Sequence, residues 1–366
     1  MSAQPRGTDL LLPFADVDRL LEALRDQGYR PIGPRIEGGA ISLGALEDAR
    51  DLPWGLRDTQ EAGRYRLAPG DAGAFGHNAT ANSWKSVLHP SRRTLFSCGA
   101  DLIAREGAVD TGPFAFIGVR ACDLAALRIQ DRVRNGSDAA YSQTRASALL
   151  VAVQCRTAAA TCFCPSMGTG PALPAGADLE LVEEPAQRAF RLCAHSDRGA
   201  AVVAVLELDA AEGDGAAVRR EQIRAAAAEI DRHLDSATLP ARILEAQESP
   251  VWDAVAERCL ACGNCTSACP TCFCTRSEDQ VDVAGTTATR TETWDSCFHL
   301  DFTYIHDTHE RTSTRARYRQ WATHKFATWH AQFGSSGCVG CGRCITWCPV
   351  GIDVTAVLAD LGEADP

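Results

Sequence analysis

The sequence predicts an α+β fold in two parts, an α/β domain over residues 1–247 and a cysteine-rich, α-helical domain over residues 248–366. Three observations predict it. In the first part, apolar runs of strand length alternate with segments of helical period. Ser249-Pro250 then marks a break. Cysteine density rises directly after that break.

Residues 10–28 carry Leu10, Phe14, Val17, Leu20, Leu21 and Leu24 at helical spacing, which predicts an amphipathic opening helix. Pro31, Gly33, Gly38, Pro53 and Gly55 cut the following stretch into short segments. Residues 114–119 (FAFIGV) and 148–153 (ALLVAV) read as buried strands, and 202–206 (VVAVL) as a third. Between the first two, 123–134 reads as a helix with Leu124, Leu127 and Val133 on one side. Gly168 to Asp178 is a Gly/Pro/Ala loop, and 215–235 a long helix around the Ala225–Ala228 run. In the second part, 315–333 reads as a helix. Its Tyr318, Trp321, Ala322, Phe326 and Trp329 lie near one face, the pattern of a core rather than of electron relays.

Hydrophobic residues make up 45 % of the 366, enough for a substantial core. The net charge of −11 argues against nucleic acid as a partner. Asp9, Asp16, Asp18 and Glu22 lie among the opening leucines, unlike a signal peptide, and no apolar run approaches a membrane span. From Arg311 to Arg343 the balance inverts. There is no Asp or Glu, but there are Arg315, Arg317, Arg319 and Lys325. That stretch is either a solvated helix face or a counter-charge for an anionic centre or acidic partner.

The 17 cysteines do not follow the spacing of a secreted disulfide framework. Eight form one pattern twice, Cys259-x₂-Cys262-x₂-Cys265-x₃-Cys269-Pro270 and Cys338-x₂-Cys341-x₂-Cys344-x₃-Cys348-Pro349, offset throughout by 79 residues. This is the bacterial run for 4Fe–4S cubanes. A zinc ribbon needs only two CxxC pairs and no Cys-Pro tail. Thiolates are soft ligands suited to iron, and the fourth cysteine of each run usually reaches the other cube. The expected sets are therefore Cys259, Cys262, Cys265 and Cys348 on one cluster, and Cys338, Cys341, Cys344 and Cys269 on the other. Gly263, Gly340 and Gly342 either let backbone amides approach cluster sulfurs or serve turn geometry alone. The 68 residues between the runs exceed a small symmetric ferredoxin, so an α-helical two-cluster ferredoxin-like module with an insertion is expected. Cysteines that must hold iron need a reducing compartment, which points to the cytoplasm.

A second cysteine group lies in the first part. Cys122 follows the strand 114–119 and Cys155 the strand 148–153. If the strands are parallel, both emerge at one sheet edge, where α/β ligand sites form. Cys162 and Cys164 come seven and nine residues after Cys155. These four thiols either hold a third cubane or are buried apolar groups. Cys98 and Cys193 lack ligand-like spacing and read as structural. Cys272, Cys274 and Cys297 are three thiols lacking a fourth donor, which His299 or a partner would have to supply. They read as neighbours of the clusters rather than ligands. His299, His306 and His309 read as surface residues. No catalytic set, phosphate loop or nucleophile elbow is present. Gly168-Thr169-Gly170 lacks the context of a dinucleotide loop.

Taken together, residues 118–123 (GVRACD), Cys155, 162–169 (CFCPSMGT), 250–253 (PVWD), both cysteine runs, 269–274 (CPTCFC) and 294–297 (WDSC) resemble a known family. It is the beta subunit of sulfhydrogenases, the cytosolic NAD(P)-linked NiFe hydrogenases. The layout is equally similar to the electron-transfer subunit of anaerobic sulfite reductase. The likeness runs from about residue 10 to 355. It implies an electron-transfer subunit that links a flavoprotein diaphorase subunit to a catalytic subunit of hydrogenase or sulfite reductase, and it favours the third cubane. After Cys297 the chain departs from the family, which often carries a Gly-Gly-His stretch where this one reads Ile305-His306-Asp307-Thr308-His309.

Two other functions compete. A self-contained iron–sulfur oxidoreductase needs a flavin or substrate pocket in residues 1–247, where no flavin motif is visible. An iron–sulfur regulator needs a basic DNA-reading element, which the acidic charge opposes.

Overall fold

The computed structural model describes residues 7–134 and 136–361. It is a mixed α/β structure whose largest element is a seven-stranded sheet. The strands run across it in the order Leu10–Pro13, Ala189–Ala194, Leu179–Glu184, Leu149–Val153, Phe114–Val119, Arg30–Glu37, Ala40–Ala45. The four central strands are mutually parallel, and both edge pairs are antiparallel. Phe114–Val119 and Leu149–Val153 are buried along their whole length, as continuous apolar runs between two covered faces must be. On one face the helix Val17–Asp26 packs Leu20, Leu21 and Leu24 against Ile117, Val151 and Leu181. On the other, the helix Ala121–Arg134 packs Leu124 and Leu127 against Phe116 and Leu150. Each such side chain contributes about 1.5–3 kcal/mol on full burial.

Three expectations for this part are corrected. Residues 10–13 are a strand paired with 189–192, and the opening helix begins only at Val17. The segment 202–206 is not a strand. Most of it is the end of the helix Asp197–Ala204, which Ser196 caps by accepting from the Gly199 N–H at 3.1 Å. The sheet is completed instead by the hairpin 179–194. The helix expected over 215–235 spans Gly215–Ala228.

The region after residue 248 is not wholly helical. The insertion between the cysteine runs contains a hairpin, Thr275–Val281 and Ala288–Trp294. Its second strand pairs with Arg92–Cys98, so a four-stranded sheet draws on both sides of residue 248. The helical expectation failed because these strands are largely polar and gain their order from a distant partner strand. The helix expected over 315–333 is present from Thr314 to Phe333, with a π-helical stretch at His324–Thr328. Tyr318, Trp321, Ala322, Phe326 and Trp329 are all buried, as expected of core residues. Among the described residues no helix is long and apolar enough to cross a membrane.

Candidate metal centres

The first cysteine run begins where the helix Val251–Arg258 ends, with the Cys259 N–H donating to the Val255 carbonyl at 3.0 Å. Ala261 takes a left-handed backbone (φ 51°), and its N–H reaches Cys259 Sγ at 3.4 Å. A non-glycine in that region is strained, and such strain concentrates at functional sites. Gly263 (φ 77°) turns the chain into the short helix Asn264–Ser267. Cys259, Cys262 and Cys265 then face one cavity, and Cys348 of the second run lines the same cavity. Tyr318, Trp321 and Phe298 close it with apolar surface.

Cys338, Cys341 and Cys344 line a second cavity together with Cys269 of the first run. The fold thus places the fourth cysteine of each run with the first three of the other. The Gly340 N–H donates to Cys338 Sγ and the Ile352 N–H to Cys348 Sγ, both at 3.3 Å. Lys325, in the π-helical stretch, donates to Cys269 Sγ at 3.3 Å and to Thr271 Oγ1 at 3.1 Å. The two cavities adjoin, since Cys344 lines both.

Cys122 and Cys155 leave the same edge of two parallel strands. Gly118 (φ 86°) interrupts the register there, just before the turn that delivers Cys122. Asp123 accepts from the Arg120 N–H at 3.2 Å and also holds Arg343 of the second run at 3.0 Å, with both side chains buried. Arg120 reaches Cys155 Sγ at 3.9 Å. Burial, then the adjacent Cys162, Cys155 and Cys341 thiols, push the Cys164 thiol up. Burial pushes Cys162 up to about 12, with Cys155 and Cys341 adding to it. Burial and Asp123 raise Cys122 well above its usual range, and Cys341 and Cys164 lie among its neighbours. These four thiols therefore form one neighbourhood, beside Cys341.

Gly340 and Gly342 make that neighbourhood possible. Both have positive φ, 63° and 75°. A Cβ at Gly340 would stand 2.6 Å from Phe163 backbone, and one at Gly342 would stand 2.4 Å from the Thr161 carbonyl oxygen. Only glycine lets 161–164 lie directly on the second run.

Among the described residues, the one group of three or more donor atoms all within 4.8 Å of one another is Glu180, Cys193 and His195. Four thiolates on a zinc ion at about 2.3 Å would stand about 3.8 Å apart. No cysteine set is that tight, whereas a cubane places its own iron and sulfide between its thiolates. The donor sets fit cubanes in kind and in number. Glu180 in the remaining group is already paired with Arg219 at 3.0 Å, which opposes a cation there. Cys193 sits in the strand Ala189–Ala194, opposite Glu180, and Cys98 in Arg92–Cys98, apart from the cavities.

Cys272, Cys274 and Cys297 are half-buried. His299 holds Asp295 at 2.6 Å, His309 lies 3.8 Å from Asp301, and the histidines do not converge. The basic stretch divides its work. Arg315 and Arg319 pair with Glu248 at the surface, at 3.1 and 2.9 Å, while Lys325 and Arg343 are buried against the thiol sets. Lys85 is a further buried cation, with Nζ 3.9 Å over the Trp294 ring. Nothing in the sequence around Lys85 marks it, because its role comes from tertiary contact alone.

The 4Fe-4S dicluster domain family matches residues 258–352. The chain is 33 % identical over 260 residues to the sulfhydrogenase 2 subunit beta of Pyrococcus furiosus, a stretch covering 69 % of this chain and 75 % of that protein. No solved structure matches the chain.

Proposed function

The chain belongs to the family of sulfhydrogenase beta subunits, and we propose that it relays electrons, in the cytoplasm, between the catalytic subunit of a NiFe hydrogenase and a flavin- and NAD(P)-linked diaphorase subunit. As an iron–sulfur electron-transfer protein it needs no substrate pocket of its own. The observation that carries the reading is the exchange of Cys348 and Cys269 between the two cavities. Cys259, Cys262, Cys265 and Cys348 would hold one 4Fe–4S cluster, Cys269, Cys338, Cys341 and Cys344 a second, and Cys122, Cys155, Cys162 and Cys164 a third. When bound, such clusters pass single electrons at potentials tuned by charge and hydrogen bonds.

The chain's own residues set the path. Cys344 joins the first set to the second, and Cys341 neighbours the third. The second set is therefore central. Tyr318, Trp321 and Phe326 exclude water between the first two. Among the described residues Cys262 is the one exposed cysteine, and it stands beside the exposed Leu260. That end is the natural contact with an electron partner. The division of labour falls near residue 248, with the third set in 1–247 and the dicluster sets in 248–366.

The test is the assembled complex with Cys341→Ser. Hydrogen-dependent NAD(P)⁺ reduction should fall by at least about 100-fold, while NAD(P)H-driven dye reduction by the flavoprotein continues. Unchanged hydrogen-dependent turnover, or turnover of NAD(P)H by the isolated chain, would overturn the relay.

A further inference from the structure

The tetrapeptide Thr-Cys-Phe-Cys occurs twice, at 161–164 and at 271–274. The first copy supplies Cys162 and Cys164 of the third thiol set. The second copy supplies Cys272 and Cys274, which neither dicluster set uses. The two copies are anchored alike. Thr161 and Thr271 are both fully buried. The Thr161 hydroxyl bonds to the Thr346 hydroxyl at 2.9 Å, and the Thr271 hydroxyl donates to the Gly337 carbonyl at 2.6 Å. The first copy thus grips the second cysteine run, and the second copy grips the residue just before it.

The hairpin brings up a third thiol. Thr275 pairs with Trp294, and the Asp295 N–H donates to the Cys274 carbonyl at 2.9 Å. Two residues later comes Cys297. Ser296 fixes that turn, its hydroxyl accepting from Thr266 Oγ1 at 2.8 Å and from the Phe298 N–H at 3.1 Å. Asp295 stands beside Cys274 with its side chain only 4 % exposed; the His299 imidazole at 2.6 Å and the Ser296 N–H at 2.7 Å both meet one carboxylate oxygen, Oδ1. Two buried ammonium groups lie near Cys272. Lys85 contacts the Thr266 carbonyl and the Trp294 ring, and Lys325 contacts Cys269, Thr271 and the Gly337 carbonyl. Lys325 has the Cys269 sulfur of the second set as its anionic partner, whereas the contacts of Lys85 are a carbonyl and a ring, and a buried cation needs an anionic partner. The three thiols do not converge tightly enough for a single ion.

We propose that Cys272, Cys274 and Cys297 bind a further 4Fe–4S cluster, with Asp295 as the donor to its fourth corner. Thiolate ligands and the cube supply the negative charge that Lys85 faces. The site lies beside Cys269 and branches from the central thiol set rather than extending the line. It stands or falls apart from the relay reading, because the two dicluster sets use none of its residues.

The experiment compares the full chain, made anaerobically, with its Cys272→Ala/Cys274→Ala/Cys297→Ala variant. Iron and acid-labile sulfide should each fall by about four per chain, with the dicluster signals retained in the electron paramagnetic resonance spectrum of the reduced protein. Unchanged iron, or loss of zinc instead, would overturn the site. Asp295→Cys provides a reading that keeps the fold. Iron content should hold while one reduced-cluster signal changes shape and potential. A spectrum identical to that of the unaltered protein would overturn the ligand assignment.

Discussion

Lys325 is 4 % exposed, and its ammonium touches the sulfur of Cys269. A cation there stabilises the more negative, reduced state of the adjoining cluster. Losing a charge-assisted hydrogen bond of about 1.5–3 kcal/mol corresponds to about 60–130 mV for one electron. Lys325→Met should therefore lower one midpoint potential by on the order of 100 mV, read by a redox titration followed by electron paramagnetic resonance. Unchanged iron content would establish that the cluster is still bound, and an unmoved potential would contradict the tuning role. The cysteine runs were legible in the sequence because ligand spacing is a local property of the backbone. Lys325 was visible only as one cation in an acid-free stretch. Its direction depends on the π-helical turn and on Gly337, which no local pattern encodes.

The hairpin 275–294 was the least legible element. Its strands carry Arg276, Glu278, Asp279, Arg290 and Glu292, a composition that reads as loop until the partner strand Arg92–Cys98 is known. The sheet is tied down by charge. Arg93 bonds Asp138 at 2.8 Å and Glu292 at 2.7 Å, and Arg134 lies 3.3 Å from Asp138. Burial works against the Asp138 carboxylate, yet the hydrogen bonds from Arg93 hold it below the usual carboxylate range. A depressed folded value stabilises the protein above the unfolded carboxylate pKa of about 3.9, and that stability is lost as pH falls through the folded value. Amide protection in 92–98 and 288–294, corrected for intrinsic exchange, should stay level from about pH 7 to 5 and fall below about pH 4. A loss already between pH 7 and 5 would place the hold on some other group. The buried strands 114–119 and 148–153 read correctly from their apolar runs alone. The run 202–206 misled, because a short apolar stretch serves a buried helix end equally well, and it is the Ser196 cap that decides for helix.

At the scale of the whole molecule, the α/β part and the cysteine runs meet along one seam. Gly340 and Gly342 admit the backbone of 161–164, and Arg343 is clamped by Asp123. The seam places Cys341 beside the N-terminal thiols. None of this was legible in the sequence, where the glycines allowed two readings and Arg343 none. The central claim is that the two runs exchange their fourth cysteines. Cys348→Ser tests it most directly, when its reduced-state electron paramagnetic resonance spectrum and redox titration are compared with those of Cys262→Ser and Cys341→Ser. The same cluster signal should be altered as in Cys262→Ser, with the signal sensitive to Cys341 intact. If Cys348→Ser instead alters the signal that Cys341→Ser alters, each run holds its own cluster and the crossed account is wrong.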